Sequence, residues 1–573
     1  MPRTTSLPAP RPQVDALTSR PSADVVVIGG GINGIATFRD LALQGVDVVL
    51  VERGDWASGA SSASSHMIHG GVRYLENGEF RLVREAVQER NRLLRNARHY
   101  VHPLRTTIPI FSTFSGLLAA PLRFLTHRQR STRERGALLI KLGLTLYDSF
   151  SRDGGTQPRH RFLGRRRSLA EMPELNPGLK YTATYFDASM HDPERLALDV
   201  LLDGIAAGGR AANYVEAIGV SSEGTGIRLR DLAAGAEFDL AARVVVNASG
   251  PWTDLTNEAL GRPTRYMGGT KGSHIVLDHP ELLEATHGRE LFFENDDGRI
   301  VLIYPLKGRV MVGTTDIDAD PREPAVCTEE EVDYFFALVH HVLPGIRLDR
   351  SQIVYRFAGI RPLPHHDDEA PGFVSRDYRI EPAELGDGRL LLSLVGGKWT
   401  TFRALGAHLA DLVLARLGMP RRTGTESLPI GGGAGFPATD AARDAWIADH
   451  AGRVGAERAA RLLERYGTRA AEVIEALGAD DGMLTHLEGY SRDEVRHLAR
   501  TEHVVHLGDL VYRRTSAAFV GAVTAGLLDE LAEVAGDALG WSAARRRREV
   551  EQLAADLVER HGVRLASAPA RAD

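Results

Sequence analysis

One stretch constrains this chain more than any other: DVVVIGGGINGIATFRDLALQGVDVVLVERGD, residues 24–55. Its opening, DVVVIG, is short, β-branched and apolar, the pattern of a strand buried on both faces. It runs directly into Gly29-x-Gly31-x-x-Gly34. A helical pattern follows, with Ile35, Phe38, Leu41 and Ala42 on one face, and stops near Gly45. DVVLVE then reads as a second buried strand, closed by Glu52. Strand, glycine turn, helix and strand together predict a βαβ dinucleotide site. Gly29 and Gly31 permit a tight turn and close approach to a pyrophosphate, and Gly34 lets helix and strand pack. The helix N-terminus favours the phosphate charge. Glu52 is placed to accept from a ribose hydroxyl. No second fingerprint follows. GGGAG at Gly431 comes after no clear strand and reads as a linker. An enzyme passing hydride between NAD and a flavin would usually carry two such sites, so a single one near the start favours FAD.

The next unusual stretch is SSASSHMIHGGVRYLE, residues 61–76. It is too polar for a core strand and too rich in Gly and Ser for a stable helix. Small residues at Ser61, Ser62, Ser64 and Ser65 let backbone approach a cofactor and offer hydroxyls to it.

The chain has 573 residues, enough for two to four domains. The Pro-, Ser- and Arg-rich residues 1–23 carry no apolar run of signal-peptide length and are expected to be a disordered tail. From residue 24 to 423, strands and helices alternate. Arg81 to Arg98 is an amphipathic helix, and Asp192-Pro193 starts another that continues to about Ala207. Short strands are expected at Gly226–Arg230 and Glu237–Leu240, and a buried strand in ARVVVNASGPWTD, residues 242–254. IVLIYPLKGRVMVGTT reads as a hairpin turning at Lys307-Gly308. IVYRFAGIRPL, residues 353–363, reads as a strand up to its proline. Residues 390–418 read strand, Gly-Gly turn, helix. A Gly- and Pro-containing linker, 424–438, precedes a helical C-terminal domain, 439–560, and a short tail, 561–573. This pattern predicts an α/β fold plus an α domain: a Rossmann-like nucleotide layer interleaved with an antiparallel substrate sheet, then helices.

A net charge of −6 argues against a general affinity for nucleic acid. The single cysteine, Cys327, excludes an internal disulfide. No zinc-like Cys/His cluster exists, so no metal is expected. No window approaches the ~20 apolar residues of a membrane span. The best candidate, GALLIKLGLTLY from Gly136, is short and carries Lys141. From Arg123 to Arg167, however, 12 Lys/Arg face three acids, interleaved with LLAAPLRFL and GALLIKLGLTLY nearby. That composition suits a surface lying on anionic lipid.

Several motifs resemble the FAD-dependent, quinone-linked respiratory glycerol-3-phosphate dehydrogenase family, within the D-amino-acid-oxidase-like flavoproteins. They are VIGGGINGI (27–35), SSASSHMIHGGVRYLE, VVNASGPWTD, KGSHIV (271–276), VGTTD (312–316), GIRPL (359–363), SRDY (375–378) and GGKWTTFR (396–403), with RRT at 513–515. The resemblance runs from about residue 24 to 555. It departs at His66, where the family commonly has lysine. It implies oxidation of sn-glycerol 3-phosphate to dihydroxyacetone phosphate, with hydride passing from C2 to flavin N5 and electrons to membrane quinone. Such enzymes are peripheral on the cytoplasmic face of the cell membrane, and a homo-oligomer is compatible with the sequence. The alternatives are an oxidase reducing oxygen to peroxide and a flavin-binding protein without turnover.

That chemistry needs phosphate donors, and Arg73, Arg361 and Lys398 each sit beside glycines or a proline, with Tyr74 adding a hydroxyl. It also needs a proton acceptor for the C2 hydroxyl. His69 and His274 are the candidates, with a basic side chain lowering the alcohol pKa as a third reading. Arg361 and Lys398 are therefore catalytic as well as binding candidates. For FAD, Gly29, Gly31, Asn33, Gly34, Glu52 and Arg53 join the four serines. By resemblance, Gly250, Gly396, Gly397 and Thr400 contact the far end of the cofactor.

Overall fold

The computed structural model describes residues 11–71, 80–112, 137–151, 157–221, 224–295, 300–365, 377–386 and 388–565. The βαβ unit forms as its sequence dictates. Ser22–Ile28 and Val48–Glu52 are parallel neighbours, joined by the helix Ile32–Leu43. Strand Glu237–Asn247 pairs on the other side of Ser22–Ile28, and Leu390–Val395 lies beyond it, both parallel. Arg210–Asn213 closes the opposite edge. The chain order therefore reverses beside Ser22–Ile28, and the glycine turn leaves that strand at its carboxyl end. Such a switch point opens a crevice for a ligand.

Val25, Val27, Val48, Leu50, Val244 and Val246 are buried against the helices Ile32–Leu43, Pro193–Ala206 and Phe402–Leu417. A Cβ on Gly34 would stand 1.9 Å from the Gly29 carbonyl oxygen, so helix and turn close only on glycine.

Residues 11–23 depart from the expected disordered tail. Pro12–Thr18 is a helix, with Val14 and Leu17 on one face. Both are buried against Val26, Val49 and Val245 on the sheet's second face, an i,i+3 pair that the Pro- and Arg-rich composition hides.

Among the described residues the second sheet has ten strands. At one end of it Met267–Leu277 runs antiparallel to Ile353–Pro364, with His274 opposite Phe357 and Thr270 opposite Arg361. The second strand runs through Pro362 instead of stopping at it, and His274 lies within the first. The hairpin Ile300–Leu306 to Arg309–Gly313 turns at Lys307-Gly308. Glu237–Asn247 is one continuous strand where two segments were expected. Met67–Ile68 pairs with the end of Tyr181–Met190, which seats the HGG segment at the sheet's edge.

The stretch 424–438 holds no element longer than the 3-10 turn Gly431–Gly433, and is docked. The Ile430 N–H donates to Asn96 O at 2.9 Å, and Gly431 and Gly432 N–H donate to Asp203 and Asp199. Helices from Asp440 to His561 then enclose their own apolar core.

Candidate active site

The glycine turn is braced from below. Glu52 receives the Gly30 N–H at 2.6 Å and the Gly54 N–H at 2.7 Å, one on each carboxylate oxygen. Burial nevertheless pushes its pKa up, against those two bonds. Each oxygen retains a lone pair for a further donor. Arg53 stacks over Trp252, 4.8 Å from the ring centre. At the N-terminus of the helix Ile32–Leu43, the Ile32 N–H donates to Ser61 Oγ at 3.0 Å. Trp399 Nε1 donates to the Ser61 carbonyl at 2.9 Å, tying the loop 396–400 to the serine loop. The side chain of Asn33 meets Gly397, where a Cβ would stand 2.4 Å from Asn33 Nδ2. Asn33 Oδ1 is buried with no partner. A glycine-lined cradle at a helix N-terminus, with an unsatisfied buried amide oxygen, fits a bound dinucleotide.

The serines differ from one another. Ser62 donates to Gly59 O at 3.0 Å, and Ser64 accepts the His66 N–H at 3.4 Å, so these hydroxyls close the loop on itself. Ser65 Oγ lies 2.9 Å from His274 Nε2 and joins the serine loop to the second sheet. His274 is buried and stacks on Phe357, with ring centres 4.7 Å apart and planes 10° apart. Its Nδ1 has no partner. Burial, then the positive Arg361, holds its pKa well below the ordinary histidine range, so the ring is neutral.

Arg361 is half-buried, with a side-chain exposure of 21%. It donates to Asp316 at 3.1 Å and to Thr314 Oγ1 at 2.9 Å. Thr400 Oγ1 donates to the His69 carbonyl at 3.2 Å, so the loop 396–400 also holds the HGG turn. Lys398 lies in that loop, within electrostatic reach of Glu85. Gly250 opens a single turn after the strand Glu237–Asn247. Arg73 and Tyr74 lie outside the described residues.

His66 is buried, 5.2 Å from the Phe519 ring of the C-terminal helical region. Burial lowers its pKa to about 4, so where the family commonly carries a lysine this chain keeps a neutral ring. Thr314, Asp316 and Trp399 are members of this constellation that residue-type reasoning passed over, although all lie in motifs that carry the resemblance.

The chain matches the FAD dependent oxidoreductase (DAO) family over residues 24–412 and the C-terminal domain of alpha-glycerophosphate oxidase over 423–546. A glycerol-3-phosphate dehydrogenase of Synechocystis sp. is 36% identical over 474 residues, 79% of this chain and 80% of that one. The chain belongs to the FAD-dependent glycerol-3-phosphate dehydrogenase family. Its relatives are named for more than one substrate: the D-erythritol 1-phosphate dehydrogenase of Brucella abortus is 32% identical, over 86% of this chain and 94% of its own. The fold is that of the Bacillus halodurans glycerol-3-phosphate dehydrogenase complexed with FAD, with a TM-score of 0.73, 96% of each chain covered and 23% identity. As in this flavoprotein family at large, the cofactor is FAD.

Proposed function

We propose that the protein oxidises sn-glycerol 3-phosphate to dihydroxyacetone phosphate and passes the electrons to membrane quinone. The observation that carries the reading is the Ser65–His274 contact with Arg361 alongside. It puts a neutral, buried imidazole and a cation where the serine loop meets the substrate sheet. FAD, when bound, supplies the acceptor for the C2 hydride. Gly29, Gly31, Asn33, Gly34, Glu52, Arg53, Ser61, Gly250, Gly396, Gly397 and Thr400 form its cradle, and Ser62 and Ser64 shape the loop beside it. Arg361, Lys398, Arg73 and Tyr74 receive the phosphate, with Arg361 turning part of its fork from Asp316 to the ligand. His274 takes the hydroxyl proton, held in plane by Phe357 and oriented by Ser65. His69, in the turn held by Thr400, is the alternative base.

The test is anaerobic bleaching of the yellow flavin by glycerol 3-phosphate; absence of bleaching overturns the reading. D-erythritol 1-phosphate, run in parallel, separates the two substrates found in the family. Adding oxygen or a soluble quinone to the bleached protein distinguishes an oxidase from a dehydrogenase. The pH dependence follows from His274. A base with a depressed pKa stays unprotonated on acidification, so kcat/KM should stay level down through pH ~6.5, the unperturbed histidine value, and fall only below it. An acid limb centred at or above that value excludes His274 as the base.

The quinone acceptor and the cytoplasmic membrane face are supported by the helix Ala137–Ser151. It exposes Leu138, Leu142 and Leu146 by 49%, 60% and 37%, one residue per turn on a single stripe. The stripe lies within the basic segment 123–167, much of which is outside the described residues. Apolar side chains beside excess positive charge suit an anionic lipid surface. Among the described residues no helix is long and apolar enough to cross a membrane. Leu142→Glu should abolish sedimentation with phosphatidylglycerol vesicles and reduction of quinone held in them, while turnover with a soluble dye stays within about twofold. Unchanged vesicle binding would remove the stripe from the interface.

A further inference from the structure

The HGG turn is clamped by a buried cluster that plays no part in the chemistry above. Asp187, on the strand Tyr181–Met190, accepts the Gly70 N–H at 2.9 Å through Oδ1. The same oxygen accepts from the Tyr147 hydroxyl at 2.6 Å and from Arg90 Nη1 at 3.1 Å. Arg90 also donates to the Tyr147 hydroxyl at 2.6 Å and to the Phe186 carbonyl at 3.1 Å. All three side chains are shut away from solvent, at 2% exposure or less. The Tyr147 hydroxyl also explains the first glycine of the turn: a Cβ on residue 70 would stand 2.2 Å from it. The second glycine, Gly71, takes a φ of +74°, which a side chain would strain.

On its other side the turn is held by Thr400, through the His69 carbonyl. His69, Gly70 and Gly71 belong to no helix or strand, so these two attachments, with the paired strand Met67–Ile68 before them, help set where the turn lies. One comes from the cofactor loop. The other comes from Asp187, whose oxygen is itself fixed by Tyr147 and Arg90.

We infer that Asp187 and Tyr147 are positioning residues that hold the His69–Gly70–Gly71 turn against the substrate. The inference rests on the proposed function, in which His69 of that turn is a candidate base at the substrate. Tyr147 is presented by the helix Ala137–Ser151, the same helix that turns its leucines outward, so the seat of that helix is transmitted to the turn by one hydroxyl. Neither residue touches the reacting atoms. Their contribution is geometric, and it acts on substrate affinity before it acts on hydride transfer.

The test is Tyr147→Phe in the FAD-loaded protein, assayed with a soluble dye and without vesicles. The ring and its packing on Tyr185 remain, and only the hydroxyl is lost. KM for glycerol 3-phosphate should rise about tenfold with kcat within about twofold, the change expected for one hydrogen bond to a charged group. FAD content and melting temperature should match the parent. Asp187→Asn, which keeps an oxygen for the Gly70 N–H, should shift KM less than Asp187→Ala. An unchanged KM in Tyr147→Phe overturns the inference, as does a joint fall of kcat, FAD content and melting temperature, which marks a structural role only. Failure of the parent protein to bleach with glycerol 3-phosphate would instead overturn the proposed function.

Discussion

Arg361→Ala should raise KM for glycerol 3-phosphate about ten- to hundredfold, the equivalent of one charge-assisted contact of roughly 1.5–3 kcal/mol. The guanidinium is half-buried between Asp316 and Thr314, so its donors are fixed in direction. It lies across Gly272, where a Cβ would stand 2.0 Å from Nη2; only a glycine leaves room for it. Alanine removes the cation and also leaves the Asp316 carboxylate facing a dianionic phosphate. The double variant Arg361→Ala/Asp316→Asn should therefore recover part of the loss. Arg361→Lys should be intermediate, because an ammonium keeps the charge without the planar fork. The phosphate is held alike before and during hydride transfer, so kcat should change less than KM. Steady-state kinetics with a soluble dye measures all of this, and unchanged constants would remove Arg361 from the site.

The largest loss of stability is expected at Arg514. It is fully buried, and so is Asp55, whose Oδ1 accepts from Arg514 Nη2 at 2.9 Å. Arg513 and Arg514 follow one another in a π-helical turn, Leu510–Arg514, and both reach Asp55. Arg514 also donates to the Glu502 carbonyl at 2.7 Å. Asp55 closes the βαβ unit, and its partners come from the C-terminal helical region. The cluster therefore joins the two at a point next to the cofactor cradle. Removing one member of a buried pair costs about 3–5 kcal/mol when the remaining charge is uncompensated; Arg513 still reaches Asp55, so the cost falls to the lower end, about 3 kcal/mol. Arg514→Ala should lower denaturant stability by that amount and reduce FAD retention. The double variant with Asp55→Ala should lose less than the sum of the singles. The positive pair holds the Asp55 carboxyl well below the ordinary range even though burial alone would raise it. A depressed carboxylate stabilises above its unfolded pKa of ~3.9, so this contribution is lost only as the pH falls below that value. Full additivity in the double variant would show that the contact carries no coupling.

The βαβ unit could be read from residues 24–52 because each of its signals is local. The β-branched run, the glycine spacing and the helical stripe all act within one or two turns of chain. For the same reason, strands were found where apolar residues run together, and the hairpin where Lys307-Gly308 interrupts them. The site was legible only as a set of residues. Residue type marked His274, and a cation beside glycines or a proline marked Arg361 and Lys398. Nothing local says that Ser65 would reach His274, 209 residues away in sequence. Asp187, Arg90 and Tyr147 gave no signal at all, because each alone resembles an ordinary charge or a packing aromatic. The same limit hid the helix Pro12–Thr18, whose two apolar residues count only once a sheet face is there to cover.

By itself, then, the sequence determined the nucleotide turn, the cofactor that fits it and the family. These depend on backbone geometry and on side chains close together along the chain. The tertiary structure alone decided which serine meets a histidine, which aspartate turns Arg361 and which buried oxygen holds the HGG turn. Those contacts join loops, strands of the second sheet and helices far apart in sequence. Their strength comes from burial, which a residue acquires only from the fold around it.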